Sequence, residues 1–354
     1  MLALSLPLTS LSFAGEPAKL PMRAATSAPL QAQSAAPSED PAAEADRQAF
    51  GRWAEFSNVF SLALLRTMEQ AEALLLNAEA GPGGALGQAD QASSEAARIS
   101  RAMLRQVDRE LDRSLTVPTF RDRRLTSAAR ATKARLIDTS RQVGSFINEA
   151  ENFYLTATRR EVNLSEERDP LRLRLEGLRL SVTNLDSRHA ALTRPPESVE
   201  GVLLEAAFHM GEAVRAFAFA AADSLAAGEG RRIGAGRMET ATVEIDYAEG
   251  LLDEAESGVN GYFARVDAMQ RILLRDKHAL KRLGRAMRAG VKNERELAGF
   301  LRDGINAMSS EGVDGDKIMD LLGHLREQRE DRQMLEVERS EIRSTIPPNL
   351  LLEG

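Results

Sequence analysis

Cysteine is absent from the 354 residues, which excludes disulfides, thiolate nucleophiles and the cysteine-based zinc and iron–sulfur sites. Aromatic residues are scarce, 5% of the chain with one tryptophan, Trp53, and three tyrosines. The residues that dominate instead, Ala, Leu, Glu and Arg, lose little entropy in a helix, whereas a sheet would call for more Val, Ile, Thr and Tyr. Lysine is also rare, so the basic residues are mostly arginine, a bias more simply read as a GC-rich coding sequence than as a surface selected for phosphate. The formal net charge of −7 argues against a general nucleic-acid binder, which needs a basic footprint to displace counterions. No run of about 20 apolar residues, the length that spans a bilayer, is present.

What is present is the composition of a globular chain, with 43% hydrophobic and 28% charged residues, enough for one large or two medium domains. Leu2 to Phe13 is a short Leu-rich run ending at Ser12-Phe13-Ala14, small residues at the positions a signal peptidase reads. It predicts export and a mature start near Gly15, although no Lys or Arg precedes it. Residues 15–38 are Ala/Ser/Pro/Gln-rich without a 3.6-residue apolar period and read as a flexible tether or the remainder of an organellar presequence. Without a functioning signal, the chain would be cytoplasmic or organellar.

From residue 39 to 346 the pattern is that of an elongated all-α bundle of about eight amphipathic helices with coiled-coil-like packing, followed by a tail over 347–354. Pro195-Pro196 marks a place where it can divide into two subdomains. Asp40-Pro41 starts the first helix, whose apolar face carries Phe50, Trp53, Phe56, Phe60, Leu64, Met68, Ala71 and Leu75, and Gly81-Pro82-Gly83-Gly84 ends it. A third helix keeps a four-three alternation from Leu125 to Ala157. Asp169-Pro170 reads as the cap of a fourth. A fifth, opened at Pro195-Pro196, is the most apolar but is interrupted by Glu205, Glu212, Arg215 and Asp223, so it belongs to a core and not to a membrane.

The longest predicted helix runs over about 239–289, where Ile245, Leu252, Val259, Val266, Leu273, Leu280 and Met287 recur every seven residues. Ala248, Ala255, Tyr262, Met269, Asp276 and Leu283 follow three residues behind each, and four glycines leave room for a bend or break. A buried seam makes Leu273→Asp cost about 3 to 5 kcal/mol. Gly290 then reads as the end of this helix, Asn293 with Glu296 as the capping box of the next, and Asp314 as the cap of the last.

The charge layout of that helix is its most informative feature. Glu239 to Ser257 holds seven acids and no base, while Arg265 to Arg288 is strongly basic. Arg271, Arg275, Lys281, Arg282, Arg285 and Arg288 fall on outward positions and are the candidate contacts for an anionic membrane surface or a partner helix. An antiparallel homodimer through 239–289 would set acidic half against basic half; a neighbouring helix of the same chain could answer the charge equally well. A second basic stretch, Arg121 to Arg141, lacks the aromatics that stack bases and reads as a solvated face.

Other motifs fall short of chemistry. Asp186/His189, Glu205/His209 and Asp320/His324 each offer two ligands on one helix face, too few to hold a metal, and no histidine has Glu three residues before it as di-iron bundles require. The Gly228 to Gly236 segment follows a helix and lacks the Lys-Ser/Thr of a phosphate loop. Asp314-Gly315-Asp316 lacks the later ligands of a calcium loop, and the Asn163-Leu164-Ser165 sequon matters only in a secreted eukaryotic chain. No catalytic residue, cofactor or metal is therefore expected. The expectation is a non-enzymatic helical interaction or scaffold protein acting through exposed helix faces on another protein or on itself, with a peripheral membrane protein as the alternative. A third class, an α-helical enzyme, would be marked by a deep crevice of convergent titratable groups.

Overall fold

The structure is a computed structural model that describes residues 41–79, 86–157, 164–195, 198–227, 235–310, 315–347 and 350–351. The signal run, the tether, the Asp40 and Asp314 caps, the Gly81-Pro82-Gly83-Gly84 breaker and Asn163 of the sequon lie outside these residues, as does most of the Gly228 to Gly236 segment. Among the described residues there are eight α-helices and no strand: α1 Pro41–Glu79, α2 Leu86–Ser114, α3 Arg123–Ala157, α4 Leu164–Thr193, α5 Val199–Ala226, α6 Ala235–Ala268, α7 Leu274–Ser310 and α8 Gly315–Ser344. The all-α bundle of amphipathic helices expected from the sequence is the observed fold.

Helices α1 to α4 share one core, built on Phe50, Leu64, Met68, Leu136 and Phe146, all fully buried. Each such side chain contributes about 1.5 to 3 kcal/mol. Trp53 closes one end of this core, its Nε1–H donating to the carbonyl of Thr116 at 2.9 Å. On α3 the expected seam from Leu125 to Ala157 is buried except at Ala157, which is half-buried. On α1 the expected face is buried except at Phe56, which is 45% exposed.

A second core joins α4 to α8 around α5, with Met210, Phe217, Ala241, Ile245, Leu297 and Leu301 fully or almost fully buried. The two cores meet along α4, which sends Leu175, Leu178 and Val182 to the first and Leu173 and Leu180 to the second. Helices α1 to α8 belong to one compact unit. Ser198 caps α5, its Oγ accepting from Gly201 N–H at 3.0 Å. The Asn184 side chain of α4 lies against Gly211 of α5, where any Cβ would collide with it.

Three local expectations need correction. Pro170 lies inside α4, in its second turn, so Asp169-Pro170 does not cap the helix; only the amide that would have bonded one turn back is lost. The single helix over 239–289 is two helices, α6 and α7, separated at 269–273. The break falls at none of the four glycines. Lys277 Nζ donates to the carbonyls of Asp267 and Met269 at the end of α6, and Asp276, the one polar residue of the seam, falls in the first turn of α7, where the helix dipole favours an acid. Leu273 therefore sits in the link and is 61% exposed, while Val266 and Leu280 on either side are fully buried.

Gly290, Asn293 and Glu296, expected to end one helix and cap another, are in the middle of α7. Gly290 is needed there for contact: a Cβ would lie 2.9 Å from both Leu203 Cδ2 on α5 and Arg339 Nη1 on α8. Asn293 points into the bundle and donates to the Gln328 carbonyl of α8 at 3.3 Å.

Candidate functional site

Folding α6 and α7 into a hairpin answers the acidic half of the predicted charge pattern with bases of α7 inside one chain. Arg302 reaches Asp246 and Glu249 at 2.6 and 2.7 Å. Arg295 reaches Asp253 and Glu256 at 2.7 and 2.6 Å. Nearer the link, Lys281 pairs with Asp267 at 2.7 Å and holds that carboxyl below the ordinary aspartate range through a hydrogen bond to the side chain. The acids of α6 are thus answered largely by Arg295 and Arg302, which lie beyond the stretch read as basic.

That pairing leaves the bases at the start of α7 exposed. Arg271 stands in the link, and Arg275, His278, Arg282 and Arg285 follow on α7 at helical spacing, all exposed. Arg271, Arg282 and Arg285 make no ion pair among the described residues, while Arg275 contacts Asp276 at 3.2 Å and stays 82% exposed. Arg288 differs: its guanidinium lies 4.7 Å over the Phe263 ring and donates to Asn260 at 2.9 Å. Leu273 and Leu274, 61% and 71% exposed, project between Arg271 and Arg275. The result is an apolar tip bordered by cations. The six predicted residues therefore divide into Arg271, Arg275, Arg282 and Arg285 at an open surface and Lys281 and Arg288 engaged with α6.

A second concentration of charge is buried between α5, α7 and α8. Glu294, 2% exposed, is gripped by Arg332, with Nε to Oε1 at 2.6 Å and Nη2 donating to Oε2 at 2.9 Å. Arg332 also donates to the Ala207 carbonyl at 3.2 Å. Complete burial pushes the Glu294 carboxyl up, and the arginine offsets this only in part. Arg339 and Glu336 complete the wall of a cavity of about 10 Å³, room for roughly one water molecule. Two carboxylates and two guanidiniums balance one another there, so this crevice reads as a joint between helices and not as a substrate site.

The remaining polar clusters are likewise paired. Glu212 on α5 receives Arg135 of α3 in a two-pronged contact at 2.6 and 2.7 Å, Arg215 at 2.9 Å and Asn184 at 3.3 Å. Burial raises its carboxyl, and the two arginines outweigh burial to hold it below the ordinary range. Arg135 of the second basic stretch is thereby a core contact, while Arg123, Arg130 and Arg141 are exposed.

None of the histidines joins the acid one turn away that the spacing suggested. His189 Nε2 meets Thr132 Oγ1 at 3.0 Å, and burial, with Arg188 nearby, pushes it down to about 4. His209 Nδ1 meets Glu244 Oε2 at 2.6 Å across to α6, and His324 lies 3.5 Å from Glu327. Among the described residues no group of three His, Asp or Glu is placed to hold a metal ion, and no helix is long and apolar enough to cross a membrane.

No protein-family model, curated protein or solved structure matches the chain.

Proposed function

We propose that this chain is a non-enzymatic helical interaction protein whose working surface is the basic end of the α6–α7 hairpin, and that this surface engages an anionic membrane peripherally. The observation that carries the reading is the pair of exposed leucines, Leu273 and Leu274, set among Arg271, Arg275, Arg282 and Arg285. Exposed leucines at a turn cost solvation unless something apolar receives them. Arginines beside them supply the second signal that stable attachment to a bilayer needs, each basic residue near an anionic surface contributing about 1 kcal/mol. The motive for a homodimer through 239–289 is weaker, because the acids that suggested it are largely answered within the hairpin. Export rests on the Leu2 to Phe13 run and would place the membrane contact outside the cytoplasm.

Co-sedimentation with neutral and anionic liposomes at low and moderate salt tests the reading. Binding is expected only with anionic lipid, weaker at higher salt, and lost when Arg271, Arg275, Arg282 and Arg285 are all changed to Glu. Absence of binding to every liposome would retire the membrane and leave a helical protein–protein module.

A further inference from the structure

Helix α1 has two stripes with the same heptad spacing, and only one of them is covered. The buried stripe includes Phe50, Trp53, Phe60, Leu64 and Met68. On the opposite face Arg52, Glu55, Val59, Leu62, Arg66 and Glu69 follow one another at intervals of three, four, three, four and three, and all six are exposed. Val59 is 58% and Leu62 52% exposed, with Phe56 beside them at 45%. Arg52, Glu55, Arg66 and Glu69 make no ion pair or hydrogen bond among the described residues.

The order of these residues is complementary to its own reverse. In two antiparallel helices joined by a two-fold axis, each residue of one seam lies in a layer with the residue equally far on the other side of the centre. With the axis level with the Phe60–Ser61 bond, Val59 shares a layer with Leu62 of the second copy, Glu55 with Arg66, and Arg52 with Glu69. Every layer is then apolar on apolar or acid on base. Moving the centre to Val59 instead would set Arg52 against Arg66, so the charges also select the register.

We infer that α1 is a homodimerisation helix, pairing antiparallel with α1 of a second copy through this stripe. The surface is separate from the α6–α7 hairpin and does not depend on its function. Eighteen residues of helix, about 27 Å long, bury on the order of 1,000 Å² in such a pair, the size of a weak and reversible interface. The dimer should therefore dissociate on dilution.

Sedimentation equilibrium of the full chain over about 1 to 100 µM tests this, with circular dichroism confirming that each variant is folded. The wild-type chain is expected to dimerise. Glu55→Arg alone and Arg66→Glu alone each place like charges in two layers and should weaken the dimer at least about tenfold. An equimolar mixture of these two variants restores opposite charges in both layers and should dimerise again, as should the double variant Glu55→Arg/Arg66→Glu. A wild-type chain that is monomeric throughout, a dimer indifferent to the single changes, or single variants that fail to associate when mixed would each overturn the inference.

Discussion

The start and the middle of α7 use charge in opposite ways. In the middle, Glu294 is buried against Arg332, which also donates to the Ala207 carbonyl of α5, beside a small cavity. At the start, Arg271, Arg282 and Arg285 face solvent beside two exposed leucines. Buried charge survives in a core only when it is paired, because desolvation of an isolated ion costs several kcal/mol; its presence at Glu294 therefore speaks of how helices are joined. Exposed charge carries no such obligation, and where it accumulates beside apolar surface it is available to a partner.

The contrast can be broken at either end. The largest effect is expected at the buried pair: Glu294→Leu strands Arg332 in the core and should cost about 3 to 5 kcal/mol in urea unfolding. The double variant Glu294→Leu/Arg332→Met should recover most of that loss; a single variant as stable as wild type would show that the pair does not join the helices. The same size of loss, about 3 to 5 kcal/mol, is expected for Leu280→Asp, which puts a charge into the hairpin core. Leu273→Asp, one heptad earlier but exposed in the link, should change stability by less than about 0.5 kcal/mol. Equal effects at the two positions would restore the unbroken helix.

An intermediate effect is expected from pH. His189 titrates at about 4 in the fold against an ordinary 6.5, so the unfolded chain takes up this proton first as pH falls. Its contribution is present above pH 6.5, declines between 6.5 and about 4, and changes no further below that, a loss of about 3 kcal/mol. His189→Gln should flatten that part of the stability profile; an unchanged slope would mean that the histidine is not held neutral. Only a small change in stability, within about 1 kcal/mol, is expected when the four exposed arginines are replaced by Glu.

How much of this the sequence disclosed depended on the range of the interactions involved. Heptad and 3.6-residue periodicities are local, so the helices, the α3 seam and most of the α1 core face could be read directly. Residues 239–289 were misread because the same periodicity fits one long helix or two folded against each other; the seam at Val266 and Leu280 is buried either way. Gly290 and Asn293 looked like a terminus because the contacts that explain them, from Leu203, Arg339 and Gln328, come from residues distant in sequence. The basic residues of the candidate surface were visible as charge, but their division into free and engaged sets required the fold. Leu273 and Leu274 were hidden by the heptad itself, although two adjacent leucines where a seam accepts only one were a signal that one of them had to face outward. Glu55 and Arg66 were not singled out in the sequence, because the complement inferred for them is the same stripe read backwards.

The most direct test of the membrane claim is fluorescence of a Leu274→Trp variant titrated with anionic vesicles, using the wild-type chain as background, since its single Trp53 is buried and hydrogen-bonded. Insertion of the tip predicts a blue shift and increased emission with anionic vesicles and none with neutral ones. Emission that stays that of a solvent-exposed indole when the vesicles are anionic would contradict the account.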